Sequence, residues 1–546
     1  MARSQNSRLS GGRHAGLLVP LFSCPSRRSW GIGEIGDIEP MAAWLRSAGQ
    51  DVLQLLPLNE MAPGQQSPYS AISAMAIDPI FITVPAMEDF VAIGGEDGLD
   101  GAHRRQLADL RSAGDLDYRA VRVLKDAAFR AAFARFRREE WARATSRADE
   151  LRAYLAEQAW WIEDYALFRA LHARGGEHPW TAWPLALQRR EPAAVRDART
   201  ALGDEVLYWQ YLQWVADAQW ARARRDAGLV ELMGDLPFMV DVDSADVWAR
   251  QEDFRLDASI GVPPDAFTAD GQDWGMPVYR WDVLARIDYH WLRERARRSA
   301  QLYAGYRIDH LVGFYRTYSR PHDGSDPYFT PGEERDQVAL GERLMGVFRE
   351  AGAWIVAEDL GVVPDFVRAS LVRMGVPGYR VLRWERDWHE PGQPFRDPAS
   401  YPVLSVATSG THDTEPMAVW WEGAPDADRQ ALAAVPLVRR LAGDRVDAAS
   451  RSYGPGIRDL LLETLFASGS DLLVLPVIDV FGWRDRINAP GTIDPGNWTF
   501  RLPWFCDELD AAPEAAACRD RLRAWSRMYG RGAGTRPEDP SSTSAG

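Results

Sequence analysis

Short runs of apolar residues recur along the chain, separated by longer segments of helical or loop character. Each run has about four to eight residues and is nearly continuous in its apolar character, which is typical of a strand buried on both faces of a parallel sheet. Eight such strands joined by helices predict an α/β protein with a (β/α)8 TIM barrel. The runs are residues 16–22, 52–58, 229–236, 302–309, 354–358, 378–384, 403–407 and 472–478.

The gap between the second and third runs is far too long for a single crossover helix. Within it, residues 102–174 are rich in Ala, Arg, Glu and Leu and poor in Pro and Gly. Apolar positions follow helical spacing in residues 157–171. We therefore predict a largely helical inserted subdomain at 61–225, beside a catalytic barrel made of residues 13–60 and 226–505.

Other segments have a composition of their own. Residues 261–281 contain two adjacent prolines, three glycines and two tryptophans, which predicts a long ordered loop inserted over the active site. Residues 506–529, which follow the barrel, are partly helical in character. Residues 1–12 are expected to be flexible and residues 530–546 disordered, because Gly, Pro, Ser and Thr dominate the tail.

Charge and cysteine content exclude several classes of protein. A net charge of −15 argues against nucleic-acid binding, because phosphates require basic surfaces. Three cysteines without metal-type spacing predict a reducing, cytoplasmic location. The chain has no run of about 18 apolar residues, so we expect no membrane span. It also has no histidine pair at ligand spacing and no phosphate loop, so we expect neither metal nor cofactor.

Three acidic residues stand where three of the apolar runs end. Asp309 ends the fourth run, Glu358 ends the fifth, and Asp413 follows the seventh. In a barrel of this kind the carboxyl ends of the strands meet at one face, where active sites lie. A single acid there more often caps a turn. Three together predict glycoside chemistry, whose cation-like transition state is normally served by two carboxyl groups.

The surroundings of each acid indicate a role. Arg307 precedes Asp309 by two residues, so both side chains lie on one side of the strand, and a guanidinium there would lower the pKa of Asp309. Asp309 is therefore the natural nucleophile. Glu358, at the end of an apolar run, fits the protonated acid, whereas Asp359 points the opposite way. Asp413 is expected to bond sugar hydroxyls and to stabilise the cation-like state.

Further polar and aromatic residues are candidates for substrate contact. His310 and His412 adjoin two of the acids and could donate to sugar hydroxyls. Trp274 and Trp498 lie in Gly/Pro-rich loops, and the flat tryptophan ring suits the apolar face of a sugar. Asp235, which closes the third run, either supports the site or caps a turn.

These segments resemble the catalytic motifs of the 4-α-glucanotransferases, the amylomaltases or disproportionating enzymes of glycoside hydrolase family 77 in the α-amylase clan. The motifs are Arg-Ile-Asp-His at 307–310, Ala-Glu-Asp-Leu-Gly at 357–361 and Thr-His-Asp at 411–413. The insert at 261–281, Ser-Pro-Tyr-Ser at 67–70 and Asn-Trp-Thr-Phe-Arg at 497–501 are similar to other segments of the family. The similarity runs from about residue 16 to residue 502.

The resemblance implies transfer of α-1,4-glucan segments by a retaining double displacement through a covalent glucosyl-enzyme. It makes Asp309 the nucleophile, Glu358 the acid/base and Asp413 the stabiliser, with Arg307, His310 and His412 beside them. Expected substrates are maltooligosaccharides, glucose, and glycogen or starch. The family lacks a separate C-terminal β-domain, and none is expected here.

The resemblance also implies contacts outside the catalytic acids. Tyr69 would stack against a donor-side glucose. Trp274, Asp265 and Gln272 would shape a mobile loop over the acceptor. Thr414 is a departure, since Asn is frequent after the last acid in this family, and it leaves subsite preference open.

Two other functions stay open at this stage. A retaining α-1,4-glucan hydrolase could use the same three acids, and only its products would differ. A non-catalytic glucan-binding protein on the same fold would be expected to lack at least one of the acids, and all three are present.

Overall fold

Eight parallel strands close into a barrel at the centre of the fold. The structure, a computed structural model, describes residues 11–264, 271–444, 446–492 and 494–532. Twelve strands occur among these residues and are numbered β1 to β12 along the chain. The barrel comprises β1 (His14–Leu18), β2 (Val52–Gln54), β3 (Glu231–Leu236), β6 (Gly305–Ile308), β9 (Trp354–Ala357), β10 (Gly378–Val381), β11 (Ser405–Thr408) and β12 (Leu472–Pro476).

The predicted TIM barrel is confirmed, and each of the eight apolar runs overlaps one barrel strand, although β1 begins two residues before its run and β11 ends one residue after its run. The strands follow one another around the barrel in chain order, and β12 closes it by pairing with β1. Most strands are shorter than their runs, because apolar side chains continue into the flanking turns. Val403 and Leu404, which precede β11, are instead exposed.

A helical insertion separates β2 from β3, as the sequence predicts, although the boundaries 61–225 of a subdomain stay a prediction. The two longest helices of the insertion, Tyr118–Phe136 and Gly203–Asp226, carry buried aromatic and aliphatic faces that join the main core. The insertion contains α2 (Glu88–Ala92), α3 (Gly101–Ser112), α4 (Tyr118–Phe136), α5 (Ser146–Glu157), α6 (Ala159–Arg174), α7 (Leu185–Gln188), α8 (Pro192–Ala201) and α9 (Gly203–Asp226).

The remaining helices surround the barrel. Among the described residues, no helix is long and apolar enough to cross a membrane. These helices are α1 (Ile38–Ser47), α10 (Ala245–Ala249), α11 (Trp281–Arg286), α12 (His290–Leu302), α13 (Glu334–Glu350), α14 (Asp365–Met374), α15 (Met417–Gly423), α16 (Asp426–Ala433), α17 (Pro436–Ala442), α18 (Pro455–Phe466), α19 (Val477–Phe481) and α20 (Pro513–Met528).

A second sheet includes both ends of the segment 261–281, which the sequence analysis predicted as an ordered loop. Its four antiparallel strands are β4 (Phe254–Val262), β5 (Gln272–Tyr279), β7 (Thr317–Pro321) and β8 (Tyr328–Thr330), in the order β5-β4-β7-β8. Irregular register between β4 and β5 breaks the apolar alternation that would have revealed a hairpin. Gly261 is required there, because a Cβ at this position would lie 2.1 Å from the carbonyl oxygen of Gln272.

The C-terminus is anchored later than the sequence suggested. Arg531, which the sequence analysis placed in the disordered tail, is fully buried. Its backbone forms an isolated parallel β-bridge with the backbone of Arg13, next to the first strand. Its guanidinium donates to the carbonyl oxygens of Phe466 and Ser468. Burial and, to a smaller extent, the nearby Arg13 together lower the pKa of Arg531 to about 9. The predicted flexible and disordered termini otherwise fall at residues 1–10 and 533–546, outside the described residues.

A buried histidine ties the insertion to the loop after β3. The ring of His172, on α6, contacts Glu177 Oε2 at 2.6 Å and Asp243 Oδ2 at 2.8 Å, and only 1% of the side chain is exposed. Burial by itself lowers the pKa of His172, but the hydrogen bonds and charges of Asp243 and Glu177 outweigh it and raise the pKa to about 9.

We predict that His172 makes the stability of the protein depend on pH. The pKa of His172 is raised above the unfolded value of about 6.5, so protonated His172 stabilises the folded state. This stabilisation is complete below pH 6.5 and is lost as pH rises towards 9. Its upper bound is about 3 kcal/mol. The difference in thermal midpoint between the wild type and His172→Gln should be larger at pH 6 than at pH 9.5. The exposed pair His103–Asp100 provides a control: His103→Gln should show little difference. Equal differences for His172→Gln at both pH values would contradict the prediction.

Candidate active site

The barrel brings the three predicted acids to its carboxyl-terminal mouth. Asp309 directly follows β6, Glu358 directly follows β9, and Asp413 lies in the loop after β11. The solvent-exposed fraction of the side chain is 23% for Asp309, 21% for Glu358 and 37% for Asp413, so all three can be reached from solvent. Backbone hydrogen bonds continue the barrel ladder to this point, because Asp309 N donates to Leu236 O and Glu358 N donates to Ile308 O.

Arg307 is the centre of the site. One terminal nitrogen, Nη2, lies 2.8 Å from Asp309 Oδ1 and 3.1 Å from Glu358 Oε2, and the other, Nη1, lies 2.5 Å from Asp235 Oδ2. The first two distances limit the separation of the contacting Asp309 and Glu358 oxygens to at most about 6 Å. Retaining glycosidases hold their two carboxyl groups about 5–5.5 Å apart, and inverting ones about 6.5–9.5 Å. The arrangement therefore favours a retaining geometry.

Burial overrides the arginine at Asp309, contrary to the sequence-based expectation of a lowered pKa. The pKa of Asp309 is raised to about 7. Removal from water is the largest cause, Arg307 opposes the rise, and the carboxylates of Glu358, Asp235 and Asp413 add to it. The sequence analysis named these acids as site residues, but the depth of burial and the contact of three carboxyl groups with one guanidinium are set by the tertiary structure. Repulsion among these acids favours the protonated form of Asp309.

The pKa of Asp413 is shifted in the opposite direction to that of Asp309. Burial alone would raise the pKa of Asp413, but His412 and Asn488 outweigh it and lower the pKa to about 2. His412 Nε2 lies 3.2 Å from Asp413 Oδ2, and Asn488 Nδ2 donates to Asp413 Oδ1 at 2.6 Å. Asp413 is therefore a fixed anion at neutral pH. The sequence analysis missed Asn488, although its place in the loop after the last barrel strand is a signal that could have found it.

His310 positions Glu358 through its backbone. Its φ of 43° and ψ of 48° are left-handed, an uncommon conformation for a residue other than glycine. In this conformation the amide of His310 donates to Glu358 Oε2 at 2.7 Å. Burial lowers the pKa of the imidazole to about 4, so the ring is neutral near pH 7. The ring meets Trp274 edge to face at 4.7 Å between centroids.

An aromatic stack flanks the acids on the other side. Tyr69 stacks on His412 with a centroid distance of 5.3 Å and an interplanar angle of 17°, and Trp498 tilts against both rings. The Tyr69 hydroxyl donates to Asp235 Oδ2 at 2.9 Å and accepts from Arg307. Trp498, a candidate for sugar contact, is only 6% exposed and lies beneath these rings.

Asp235 belongs to the site. Its side chain is fully buried on β3, directly across the sheet from Arg307, and its contacts are with Arg307 and Tyr69. This contact pattern favours support of the site over the capping of a turn. Burial raises the pKa of Asp235, and Arg307 opposes the rise.

The predicted covering segment reaches the site through Trp274. The indole nitrogen of Trp274 donates to Gln272 Oε1 at 3.1 Å, so Gln272 holds the ring from two residues away on β5. Both side chains are half-buried. Asp265, also predicted to shape this segment, lies outside the described residues.

Asp359 faces away from the site, as strand alternation predicts. It is buried, and its carboxylate accepts from the amide of Tyr379 at 2.7 Å. Gly378 makes room for it, because a Cβ there would lie 2.4 Å from the Asp359 carboxylate. Within the described parts of the chain, no group of three or more His, Cys, Asp or Glu side chains could hold a metal ion.

Comparison with known proteins gives consistent similarities. The family model described as 4-alpha-glucanotransferase matches residues 19–507. The chain is 34% identical to a 4-alpha-glucanotransferase of Thermus thermophilus, over 94% of this chain and 98% of that protein. It is 32% identical to one of Chlamydia pneumoniae, over 90% and 92% respectively. The solved structure of an amylomaltase from Streptococcus agalactiae in complex with acarbose has a TM-score of 0.79 and 26% identity, covering 95% of this chain and all of that one.

We predict that Asp309→Asn stabilises the fold in a pH-dependent way. A carboxyl group with a folded pKa near 7 and an unfolded pKa near 3.9 costs nothing below pH 4; its destabilising effect grows between pH 4 and 7 and is complete above pH 7. The upper bound is about 4 kcal/mol at about 1.4 kcal/mol per pKa unit. The thermal midpoint of Asp309→Asn should exceed that of the wild type more at pH 8 than at pH 4.5.

A matched control separates this effect from general changes in charge. Asp282, on α11, is exposed, and Asp282→Asn should show no comparable increase between the two pH values. A constant difference for Asp309→Asn between pH 4.5 and 8 would contradict the raised pKa of Asp309.

Proposed function

The chain belongs to the 4-alpha-glucanotransferase family, and from this premise we propose that it transfers α-1,4-glucan segments to the 4-hydroxyl of an acceptor glucan or glucose. Donors would be maltooligosaccharides or longer glucans such as glycogen or starch. The amylomaltase with a TM-score of 0.79 was solved with acarbose, which supports a site for an oligosaccharide. The three buried, unpaired cysteines support a reducing location, and we propose the cytoplasm.

The observation that carries the proposal is the placement of Asp309 and Glu358 on one nitrogen of Arg307. Because their contacting oxygens are at most about 6 Å apart, the pair fits a sugar anomeric centre with a carboxylate on one face and an acid beside the leaving oxygen. Such spacing favours double displacement over direct attack by water.

In the first step, an oxygen of ionised Asp309 attacks C1 of the donor glucose and forms a covalent ester. The C1–O4 bond breaks, and Glu358 gives its proton to the departing O4. In the second step, the acceptor 4-hydroxyl gives its proton to Glu358 while its oxygen attacks C1, and the Asp309 carboxylate leaves. Each step inverts C1, so the two together retain its configuration. Asp413, held as an anion by His412 and Asn488, would stabilise the positive charge that develops at the ring.

The remaining site residues would bind the sugars. Tyr69 would stack on the donor glucose with its free face, since its other face covers His412. His310 and His412 would bond ring hydroxyls. Arg307 and Asp235 would hold the acids in place.

Trp274 and Gln272, with Asp265, would cover the acceptor and exclude water. Water competes with the acceptor for the covalent intermediate, and positioning of the acceptor must overcome the high concentration of water. Well-oriented groups can reach effective molarities of about 10⁵–10⁸ M. The sheet edge that carries Trp274 against His310 is the element best placed to provide this positioning.

We predict that Asp309→Ala abolishes disproportionation of maltotriose, because no other described carboxylate shares Arg307 Nη2 with Glu358 from the nucleophile position. Loss should be on the order of 10⁴-fold or more, as for removal of a covalent nucleophile.

A second experiment traps the covalent intermediate. When Glu358→Gln reacts with an activated glucosyl donor, the peptide that contains Asp309 should gain the mass of one glucosyl group. Asp359→Asn, one residue away and facing the core, should keep the activity of its folded fraction. Labelling of another carboxylate, or activity retained by Asp309→Ala, would exclude the proposed roles.

We predict that Trp274→Ala shifts the enzyme from transfer towards hydrolysis. Removing the indole opens the acceptor side to water, so glucose released from maltotriose should rise several-fold relative to longer oligomers. Asp273→Asn, at the adjacent exposed position of β5, is the matched control and should leave the ratio unchanged. If wild-type protein yields only shorter products, the hydrolase alternative is correct; if Trp274→Ala keeps the wild-type ratio, the covering role is wrong.

A further inference from the structure

A small cavity lies inside the barrel, directly beneath Arg307. Its volume is ≈ 10 Å³, and aliphatic residues line it together with the polar residues Gln54, Arg307, Tyr379, Thr408, Thr411 and His412. This volume is about that of one water molecule measured in the same way, the minimum being roughly 10–15 Å³. A cavity of this size with polar walls is suited to a single bound water rather than to a ligand.

Three buried polar atoms around this cavity have no hydrogen-bond partner among the described residues. They are Arg307 Nε, Gln54 Oε1 and Tyr379 Oη. Gln54 lies close to Tyr379, where its side chain opposes the rise in the phenol pKa that burial causes, yet Gln54 Oε1 and Tyr379 Oη are each left without a hydrogen bond. Leaving a buried donor or acceptor unpaired costs about 1–3 kcal/mol, and more for a charged group, so three together in one place call for a shared partner.

We propose that one buried water joins Arg307, Gln54 and Tyr379, and that Gln54 and Tyr379 are positioning residues which fix the catalytic guanidinium through it. The water accepts from Arg307 Nε and from the Tyr379 hydroxyl and donates to Gln54 Oε1. Three hydrogen bonds are typical of a buried water. This role rests on the proposed function, because the guanidinium matters through the two acids that it holds.

A contact at Nε can affect both catalytic acids because of the way the N–H groups of Arg307 are used. The terminal nitrogens are occupied by Asp235, Asp309 and Glu358. Nε is the one guanidinium nitrogen of Arg307 without a partner among the described residues, and it is nearest to the stem of the side chain. Fixing Nε sets the plane of the guanidinium and therefore the positions of both catalytic carboxyl groups.

The pH dependence of catalysis should report this positioning. Asp309 faces Arg307 from its own strand and His310 from the turn that follows. The other titratable groups near Arg307 come from neighbouring elements and are Glu358, Asp235, Asp413, His412, Tyr69 and Tyr379. Arg307 is the cation among these groups that opposes protonation of Asp309. If the guanidinium loses its fixed orientation, Asp309 should protonate at higher pH, and the acid limb of kcat/KM should move upward.

The test uses Tyr379→Phe and Gln54→Met, which each remove one partner of the water with little change of volume. Each should lower kcat about three- to tenfold, in line with one net hydrogen bond, with a smaller effect on KM, and should shift the acid limb to higher pH. Tyr401→Phe is the matched control, because Tyr401 is also buried with an unpartnered hydroxyl but does not line this cavity. It should leave kcat and the acid limb unchanged.

A crystal structure of the wild-type protein gives an independent measurement. Electron density for one water within about 2.7–3.2 Å of Arg307 Nε is expected. An empty cavity, or variants with wild-type kcat and acid limb, would overturn the inference even though the wild type transfers glucan. A wild type that does not transfer glucan would instead overturn the proposed function, while the crystallographic result would still decide the water site.

Discussion

The site depends on one buried cation, Arg307, held between carboxylates from three different strands. A guanidinium in the barrel interior is costly to remove from water, and only several close anions can offset that cost. Asp235 compensates it from β3, and Asp309 and Glu358 do so at the mouth of the barrel. Because an arginine presents its donors in a rigid plane, this pairing also fixes the geometry of the two acids. Lysine, a single point charge, could not set both positions.

The backbone of His310 also helps to position Glu358, which Arg307 contacts. The left-handed conformation of His310 turns its amide towards Glu358 immediately after the strand that carries Asp309. One short segment therefore contributes the proposed nucleophile Asp309, the cation Arg307 and a hydrogen-bond donor to the proposed acid/base Glu358. Such a conformation persists only where surrounding contacts enforce it. Phe238 and Trp274, which pack edge to face on the His310 ring, are those contacts.

Much of this could be predicted from sequence, for identifiable reasons. The barrel strands are continuous apolar runs, and Arg307 and Asp309 share a face by strand alternation, so both followed from periodicity. Asn488 did not, because its contact with Asp413 joins loops 75 residues apart. The pKa of Asp309 was mispredicted because burial and acids from other strands are tertiary effects. The β4–β5 hairpin was missed because register shifts and glycines disguise its alternation.

The burial that raises the pKa of Asp309 also bears on the choice between transfer and hydrolysis. A carboxylate surrounded by other acids and partly removed from water lowers the free energy of unfolding. The packed core around the barrel must offset this destabilisation. The same removal from water strengthens every electrostatic contact with a bound sugar and leaves less room for a competing water molecule. A hydrolase must admit water as its second nucleophile, whereas a transferase must exclude water at that step. A site whose acids are only 21–37% exposed before any sugar binds is therefore suited to shielding the covalent intermediate once an acceptor sugar fills it.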